Sequence, residues 1–204
     1  VNGVRIGGIS GIYRGYNYER GHFELTPYTD DSVRSVYSIR NLEVFRLSQL
    51  SSKMDIMLSH DWPANIWEHG DGTRNGTKEG LLRFKPHFAA DMESGRMGSW
   101  PCWERLTKLK PSYWYSAHMH CRFDALVHHS ETETTKFVAL DKCLPRRQFF
   151  DFIDIGDEVQ RTDDGRAILD FQYDKEWLAV LSTTNKFLNC TFSYTKLPRP
   201  PHDA

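Results

Sequence analysis

The sequence has little of three features that would place a protein in a special class. Its 204 residues include only four cysteines, none in a Cys-x-x-Cys pair, so we expect reduced thiols rather than a disulfide scaffold or zinc ribbon. The 26 basic and 27 acidic side chains nearly cancel, leaving a formal net charge of −1. No global field therefore attracts nucleic acid, and any such affinity must come from local patches. There is no uninterrupted apolar run of about 18 residues, and we expect no membrane partner.

The chain does contain short apolar runs, and histidines follow two of them. Residues 54–58 and 112–115 are typical of short buried strands, and they lead into His60 and into His118 and His120. Open α/β folds place their chemistry at the carboxyl ends of such strands. If the second strand stays extended, His118 and His120 project to the same side, with Cα atoms about 6.5 to 7 Å apart. The three imidazoles are candidate ligands for one divalent ion or for two neighbouring ions.

A less specific interpretation of these histidines stays open. A single histidine after a strand is often a hydrogen-bonded structural residue, and His-x-His pairs also occur in half-buried strands. A dinuclear hydrolase site further needs a bridging carboxylate, and neither Asp55, Asp61 nor Asp124 is an obvious bridge. We interpret Asp61 as a partner that orients a ligand or as a cap on the next segment.

The sequence contains five longer motifs. They are Gly3 to Tyr13, Arg40-Asn41-Leu42-Glu43-Val44-Phe45, Leu58-Ser59-His60-Asp61-Trp62-Pro63, Ser116-Ala117-His118-Met119-His120 and Ala139-Leu140-Asp141-Lys142-Cys143-Leu144-Pro145-Arg146-Arg147. Ser-His-Asp-Trp-Pro and Leu-Asp-Lys-Cys-Leu-Pro-Arg-Arg are much more specific than a bare His-x-His. On these motifs, the stretch from Gly3 to about Tyr173 resembles the RNA lariat debranching enzymes, members of the calcineurin-like metallophosphoesterases.

The resemblance implies an α/β fold, the four-layer αββα metallophosphoesterase sandwich. Residues 1–141 would form the C-terminal half of that domain, and residues 142–204 would form part of the debranching enzymes' C-terminal domain. The metal-binding motifs that the family has upstream of these are not present in this sequence, and Val1 stands directly before an apolar run. We therefore expect a fragment that lacks the N-terminal half of the catalytic domain.

The resemblance also implies a chemistry. His60 and His118 would share one metal ion and His120 would bind a second, the ions being Fe, Zn or Mn. The bridging Asp and the general acid would come from upstream motifs, so no catalytic residue is expected in this sequence. The implied reaction is metal-dependent hydrolysis of the 2′,5′-phosphodiester at the branch point of intron lariat RNA, during splicing and mRNA processing in the nucleus. We expect the isolated chain to be inactive.

A segment rich in tyrosine and arginine is the candidate RNA interface. Aromatic rings interleaved with cations suit unstacked nucleotides, and in the resembling family a lariat-recognition loop occupies this part of the chain. The alternative is a solvated loop with one or two rings packed beneath it. Splicing-related proteins are further candidate partners. The candidate RNA contacts are Tyr13, Tyr16, Tyr18, Arg20, His22, Arg34, Tyr37 and Arg40.

A second basic patch comprises Lys142, Arg146 and Arg147, and we interpret it as a domain-boundary ion pair with Asp141. Two other functions stay open at this point. One is a calcineurin-like phosphoesterase of different specificity, and the other is a truncated product that binds RNA without turnover.

Local patterns predict several further elements. The sequence favours a strand over 3–12, a strand or its approach over 42–47, a surface loop over 69–80 and a turn at 163–165. A helix should begin at Pro101 and stop before Pro111, with a buried face at positions 102, 106 and 109. Residues 122–128 and 135–140 should pair as a hairpin, and residues 197–201 should form a linker or disordered end.

Overall fold

The computed structural model describes residues 1–155, 161–166 and 168–198. Its centre is a five-stranded sheet of order β1-β2-β3-β5-β4. The neighbours β1 and β2, β2 and β3, and β3 and β5 are parallel, and only β4 runs antiparallel, beside β5. The α/β class predicted from the sequence is confirmed. The strands are β1 Ile6–Ile9, β2 Ile56–Ser59, β3 Tyr113–Ser116, β4 Phe123–His128 and β5 Thr134–Ala139.

One row of residues crosses the whole sheet and forms the centre of the core. Gly7 pairs with Met57, Met57 with Trp114, Trp114 with Phe137 and Phe137 with Ala125. The three large side chains of this row are fully buried. A Cβ atom at Gly7 would lie 2.7 Å from the sulfur of Met57, so a larger residue at this edge would displace the methionine side chains packed beside it.

Seven α-helices cover the described part of the chain. One of the two longest, α6, is the helix predicted from the sequence, and its buried face includes Cys102, Leu106 and Leu109. The Ser99 side chain caps it by accepting from the Cys102 amide, and Lys110 ends it in a left-handed conformation. The helices are α1 Gly15–Tyr18, α2 Asp30–Ser35, α3 Asn41–Ser48, α4 Lys78–Phe84, α5 Phe88–Glu93, α6 Trp100–Leu109 and α7 Lys175–Thr184, with 3-10 turns at Ile66–His69 and Asn185–Phe187.

Three local predictions need correction. The predicted strand, or strand approach, over 42–47 is helix α3, because the two-residue spacing of Leu42 and Val44 imitates a strand although both side chains face the core from a helix. Strand β1 is shorter than predicted: Gly11 has φ +103° and lies too close to the Tyr37 carbonyl for any Cβ atom. The predicted loop over 69–80 ends early, because Thr77 caps α4 by accepting from the Gly80 amide.

The β4–β5 hairpin and the turn at 163–165 are confirmed. Of the predicted linker at 197–201, residues 199–201 lie outside the described residues. No helix among the described residues is long and apolar enough to cross a bilayer.

Candidate functional site

The ends of β2 and β3 bring two of the predicted ligands together. The two strands pair in register, with Leu58 opposite Tyr115, so the loops that follow leave the same edge of the sheet. His118 Nδ1 lies 3.0 Å from His60 Nε2, and the rings meet edge to face with centroids 4.8 Å apart. The loops are also joined by a hydrogen bond from the Ala117 amide to the His60 carbonyl, 3.2 Å long. The paired imidazoles form the candidate site.

A network of polar side chains beneath the histidines fixes these loops. The hydroxyls of Ser59 and Ser116, which end the two strands, lie 2.7 Å apart, and Trp114 Nε1 donates to Ser59 Oγ at 2.9 Å. Trp62 Nε1 donates to the Ala117 carbonyl at 2.9 Å. Sequence reasoning missed this network. The signal was a serine at the end of each strand, one or two residues before the histidine.

Asp61 ties the loop after β1 to the site rather than orienting a histidine. Its carboxylate accepts from the Tyr13 amide and the Trp62 amide, both at 3.0 Å. Burial raises the pKa of Asp61 to about 6, although the two backbone hydrogen bonds oppose the rise. Of the two roles considered for it, the arrangement supports the backbone cap.

The predicted extended geometry of His118 and His120 is wrong. Strand β3 ends at Ser116, and both histidines have φ +54°, in the left-handed region. The loop turns sharply here, with the Met119 amide 2.6 Å from the Ala117 carbonyl. Histidine tolerates this region better than most residues, yet it costs about 1–2 kcal/mol and is typical of functional sites. His118 is half-buried beside His60, whereas His120 is exposed.

The surroundings favour neutral imidazoles. Burial lowers the pKa of His60, and the nearby His118 lowers it further. Burial likewise lowers the pKa of His118, with added contributions from His120 and Arg14. The pKa of His120 is lowered by partial desolvation and then by Lys142 and Lys85. A neutral imidazole has a free lone pair, which is the form that binds a metal ion.

The donor set fits part of a metal centre. Two imidazole nitrogens at about 2.0–2.1 Å from one ion lie near 3 Å apart, the separation found between His60 and His118. Within residues 1–155, 161–166 and 168–198, no group of three or more His, Cys, Asp or Glu side chains could hold an ion. A complete centre needs donors besides this pair, and the assignment of His120 to a second ion stays a prediction.

The residues predicted to contact RNA differ in how exposed their side chains are. Tyr16 is 67% exposed and Tyr37 is 42% exposed, and Arg34 is exposed as well. Tyr13 and Tyr18 pack edge to face on the core, with ring centroids 5.5 Å apart. The first three side chains can reach a nucleotide, whereas the last two rings mainly support the loop.

The other three predicted RNA contacts are engaged within the protein. Arg40 is 1% exposed and ion-pairs with Glu24. Arg20 lies 3.7 Å above the Phe192 ring and donates to its carbonyl at 2.9 Å. His22 Nε2 lies 2.9 Å from a carboxylate oxygen of Glu43. These contacts join the tyrosine-rich segment to helix α3 and to the C-terminal part of the chain.

The second basic patch contains the predicted ion pair. Arg147 lies 2.7 Å from Asp141 and also donates to the His120 carbonyl at 3.0 Å. The patch therefore adjoins the histidine loop.

A mostly parallel sheet with two neighbouring imidazoles at its carboxyl edge defines an α/β protein with a candidate metal-assisted site. Residues 132–204 match the family model for "Lariat debranching enzyme, C-terminal domain". The chain is 46% identical to the lariat debranching enzyme of Drosophila pseudoobscura pseudoobscura over 234 aligned residues, 97% of this chain and 42% of that protein. It is 42% identical to the Homo sapiens lariat debranching enzyme, over 96% of this chain and 35% of that protein. It is 44% identical to the Arabidopsis thaliana lariat debranching enzyme, over 95% of this chain and 44% of that protein.

The resemblance predicted from the motifs is confirmed, and the chain is related to the lariat debranching enzymes. It spans 35 to 44% of the length of the three relatives named here.

Proposed function

We propose that this chain carries part of the catalytic site of an RNA lariat debranching enzyme. The substrate is the 2′,5′-phosphodiester at the branch point of an excised intron lariat, and the product is linear RNA. The observation that carries the proposal is the 3.0 Å contact of His60 with His118, made by two family motifs at one edge of a parallel sheet. The proposal includes a location in the nucleus, where introns are turned over, and splicing-related partners.

The proposed centre holds two divalent ions of Fe, Zn or Mn. When bound, such ions neutralise charge that develops on the phosphoryl oxygens. His60 and His118 hold one ion and His120 the other, while the serine and tryptophan network beneath them keeps the first pair in position. The bridging carboxylate and the general acid come from motifs outside this sequence. Residues 1–141 belong to an αββα metallophosphoesterase sandwich, and residues 142–204 to the C-terminal domain.

RNA recognition is assigned to the exposed face beside this centre. Tyr16 and Tyr37 present rings that can stack on unpaired bases, where stacking contributes about 1–3 kcal/mol per base. Arg14 donates to the Tyr37 hydroxyl at 3.2 Å and lies 5.1 Å from its ring centroid, which holds that ring in place. Tyr13, Tyr18, Arg20, His22, Arg34 and Arg40 complete the predicted interface, the buried ones by shaping the loop.

A chimera tests the proposal. The matched segment of the Drosophila pseudoobscura pseudoobscura relative is replaced by this chain, and cleavage of branched RNA is compared with cleavage of linear RNA. We expect cleavage confined to the branch point. Equal cleavage of both substrates would indicate a phosphoesterase of other specificity, and binding without cleavage would indicate a non-catalytic role.

In the same chimera, His118→Ala should lower metal content together with the debranching rate, because the ion loses one of its imidazole ligands. His128→Ala is the matched control, since His128 is exposed at the far end of β4. Metal content that is the same in both variants would contradict the ligand assignment.

A further inference from the structure

A cleft of about 540 Å³ opens beside the histidine loop. Its walls are helix α4, the segment that follows His120 and the chain from 141 to 148. Five arginines and a single aspartate line it: Arg74, Arg83, Arg122, Arg146, Arg147 and Asp141. This concentration of positive charge stands out because the chain as a whole has a formal net charge of −1.

Two of these arginines are neutralised by carboxylates and form the base of the cleft. Arg122 makes a two-pronged pair with Asp124 and also lies 3.4 Å from Asp151. Arg147 pairs with Asp141. Among the described residues, Arg74, Arg83 and Arg146 have no such carboxylate partner, and all three are exposed. Within the part of the chain that the structure describes, three exposed cations of the cleft lining are therefore available to bind an anion.

The cleft also offers an apolar surface and a direct link to the candidate site. The Phe84 ring lines the cleft, is 54% exposed, and lies 5.2 Å from the Arg147 guanidinium carbon. Arg147 in turn donates to the His120 carbonyl. The cleft therefore adjoins the histidine loop through Arg147.

We infer that this cleft is a subsite for a single strand of RNA next to the scissile bond, in which Arg74, Arg83 and Arg146 bind backbone phosphates and Phe84 stacks on a base. The inference rests on the proposed function for the identity of the polymer. Spaced cations around an exposed aromatic ring are the combination that single-stranded nucleic acid uses. An acidic peptide would use the cations but would have no need of the ring.

The test measures binding of a fluorescein-labelled, unbranched oligouridylate of about ten nucleotides to the 204-residue chain by fluorescence anisotropy, at about 50 to 300 mM NaCl. In the double variant Arg83→Gln and Arg146→Gln, we expect affinity to fall about 10- to 30-fold near 100 mM salt. The slope of log K against log salt should become shallower by about 1.4, since each lost phosphate contact removes about 0.7.

Three further variants make the result specific. Arg96→Gln is the matched control, because Arg96 is 70% exposed and lies outside the cleft, and its affinity and slope should equal those of the original chain. Replacing Arg83 and Arg146 by Lys should restore most of the salt slope, because a phosphate accepts a point charge. Phe84→Leu should weaken binding while leaving the slope unchanged.

Affinity and slope of the double variant within about twofold of the original, with an unchanged melting temperature, would overturn the subsite. The subsite would also be overturned if Phe84→Leu left the affinity unchanged and polyglutamate displaced the labelled oligouridylate as well as unlabelled oligouridylate does. That result would mean that the cleft binds acidic protein. The outcome is separable from the proposed function. His118→Ala should bind the oligouridylate normally, and a chimera that fails to debranch while the cleft variants still lose affinity would refute the reaction but retain the subsite.

Discussion

At the scale of single residues, Asp61 shows that a buried carboxylate beside a histidine pair can have a structural role. It accepts from the backbone of both the segment after β1 and its own loop, and it is 4% exposed. Buried amides without a partner are costly. The side chain therefore stabilises the approach of the tyrosine-rich segment to the histidine pair.

Asp61→Ala should lower the free energy of unfolding by about 2–4 kcal/mol, because the buried Trp62 amide loses its acceptor at about 1–3 kcal/mol and the partly buried Tyr13 amide loses its own at about 1 kcal/mol. Asp61→Asn should lose less, since one acceptor oxygen is retained. Asp163→Ala is the control, because Asp163 is exposed in a turn and should change stability by less than about 0.5 kcal/mol. Urea denaturation measures all three variants, and equal stability of the Asp61 and Asp163 alanine variants would exclude the capping role.

The proximity of His60 and His118 could be predicted from the sequence, whereas their local geometry could not. Both histidines follow apolar runs that form adjacent parallel strands, so the pairing of β2 with β3 brings them together. The left-handed conformation of His118 and His120 depends on where β3 ends, and the serine contact between Ser59 and Ser116 helps to fix that end. Such a tertiary contact leaves no local pattern.

At the scale of elements, strands β2 and β3 were predictable from short apolar runs, and helix α6 from apolar residues three and four positions apart between Pro101 and Pro111. Helix α3 was not, because its first apolar pair, Leu42 and Val44, fits the strand period equally well. Its identity is decided by the face that contacts α6 and α7. Long-range packing overrides the local pattern in that case.

Helix α7 is held to the start of β1 by charges far apart in the sequence. Arg5, directly before β1, lies 2.7 Å from the Asp174 carboxylate and 2.8 Å from the Glu176 carboxylate. Glu176 also accepts from the Ser51 hydroxyl and amide, both at 2.7 Å. These hydrogen bonds, those of Ser51 first, lower the pKa of Glu176 to about 2.

We predict that Arg5→Met loosens α7 by about 1–3 kcal/mol, the usual contribution of hydrogen bonds to charged groups. Hydrogen exchange followed by mass spectrometry should show faster exchange at 175–184 and unchanged exchange at 100–109. A carboxyl pKa that is lower in the folded state contributes stability above its unfolded value, near 4.5. That stability should disappear as pH falls toward about 2.

Arg34→Met is the control for this experiment, because Arg34 is exposed and distant from α7 in the sequence. Equal protection of α7 in the Arg5 and Arg34 variants would show that apolar contacts alone dock the helix. The Glu176→Gln variant should lack, already at neutral pH, the stability that Glu176 contributes in its charged form. Its stability should therefore decrease less than that of the original chain when the pH is lowered.

At the scale of the whole molecule, residues after 141 contact residues among the first 50. Asn2 exchanges hydrogen bonds with Ile168 and Asp170, and Arg20 contacts the Phe192 carbonyl and ring. Sequence reasoning placed a domain boundary at 141–142, and this stays a prediction. It could not foresee these contacts, because pairings between distant segments have no periodic signal.

The final prediction concerns activity: the 204-residue chain alone should not debranch RNA. His60 and His118 supply two donors to one ion, and His120 at most one donor to another. Two cations side by side need a bridging carboxylate, and leaving-group protonation needs a general acid. The described residues bring no carboxylate into a three-ligand group with these histidines.

The assay purifies residues 1–204, supplies Mn, Zn or Fe(II), and follows cleavage of a branched RNA beside the chimera as a positive control. We expect cleavage by the chimera and none by the chain, while the chain still binds the oligouridylate, because the cleft is formed entirely by its own residues. Binding separates a folded but incomplete site from a misfolded protein. Turnover by the chain near that of the chimera would mean that a complete centre lies within these residues and that the histidine assignment is wrong.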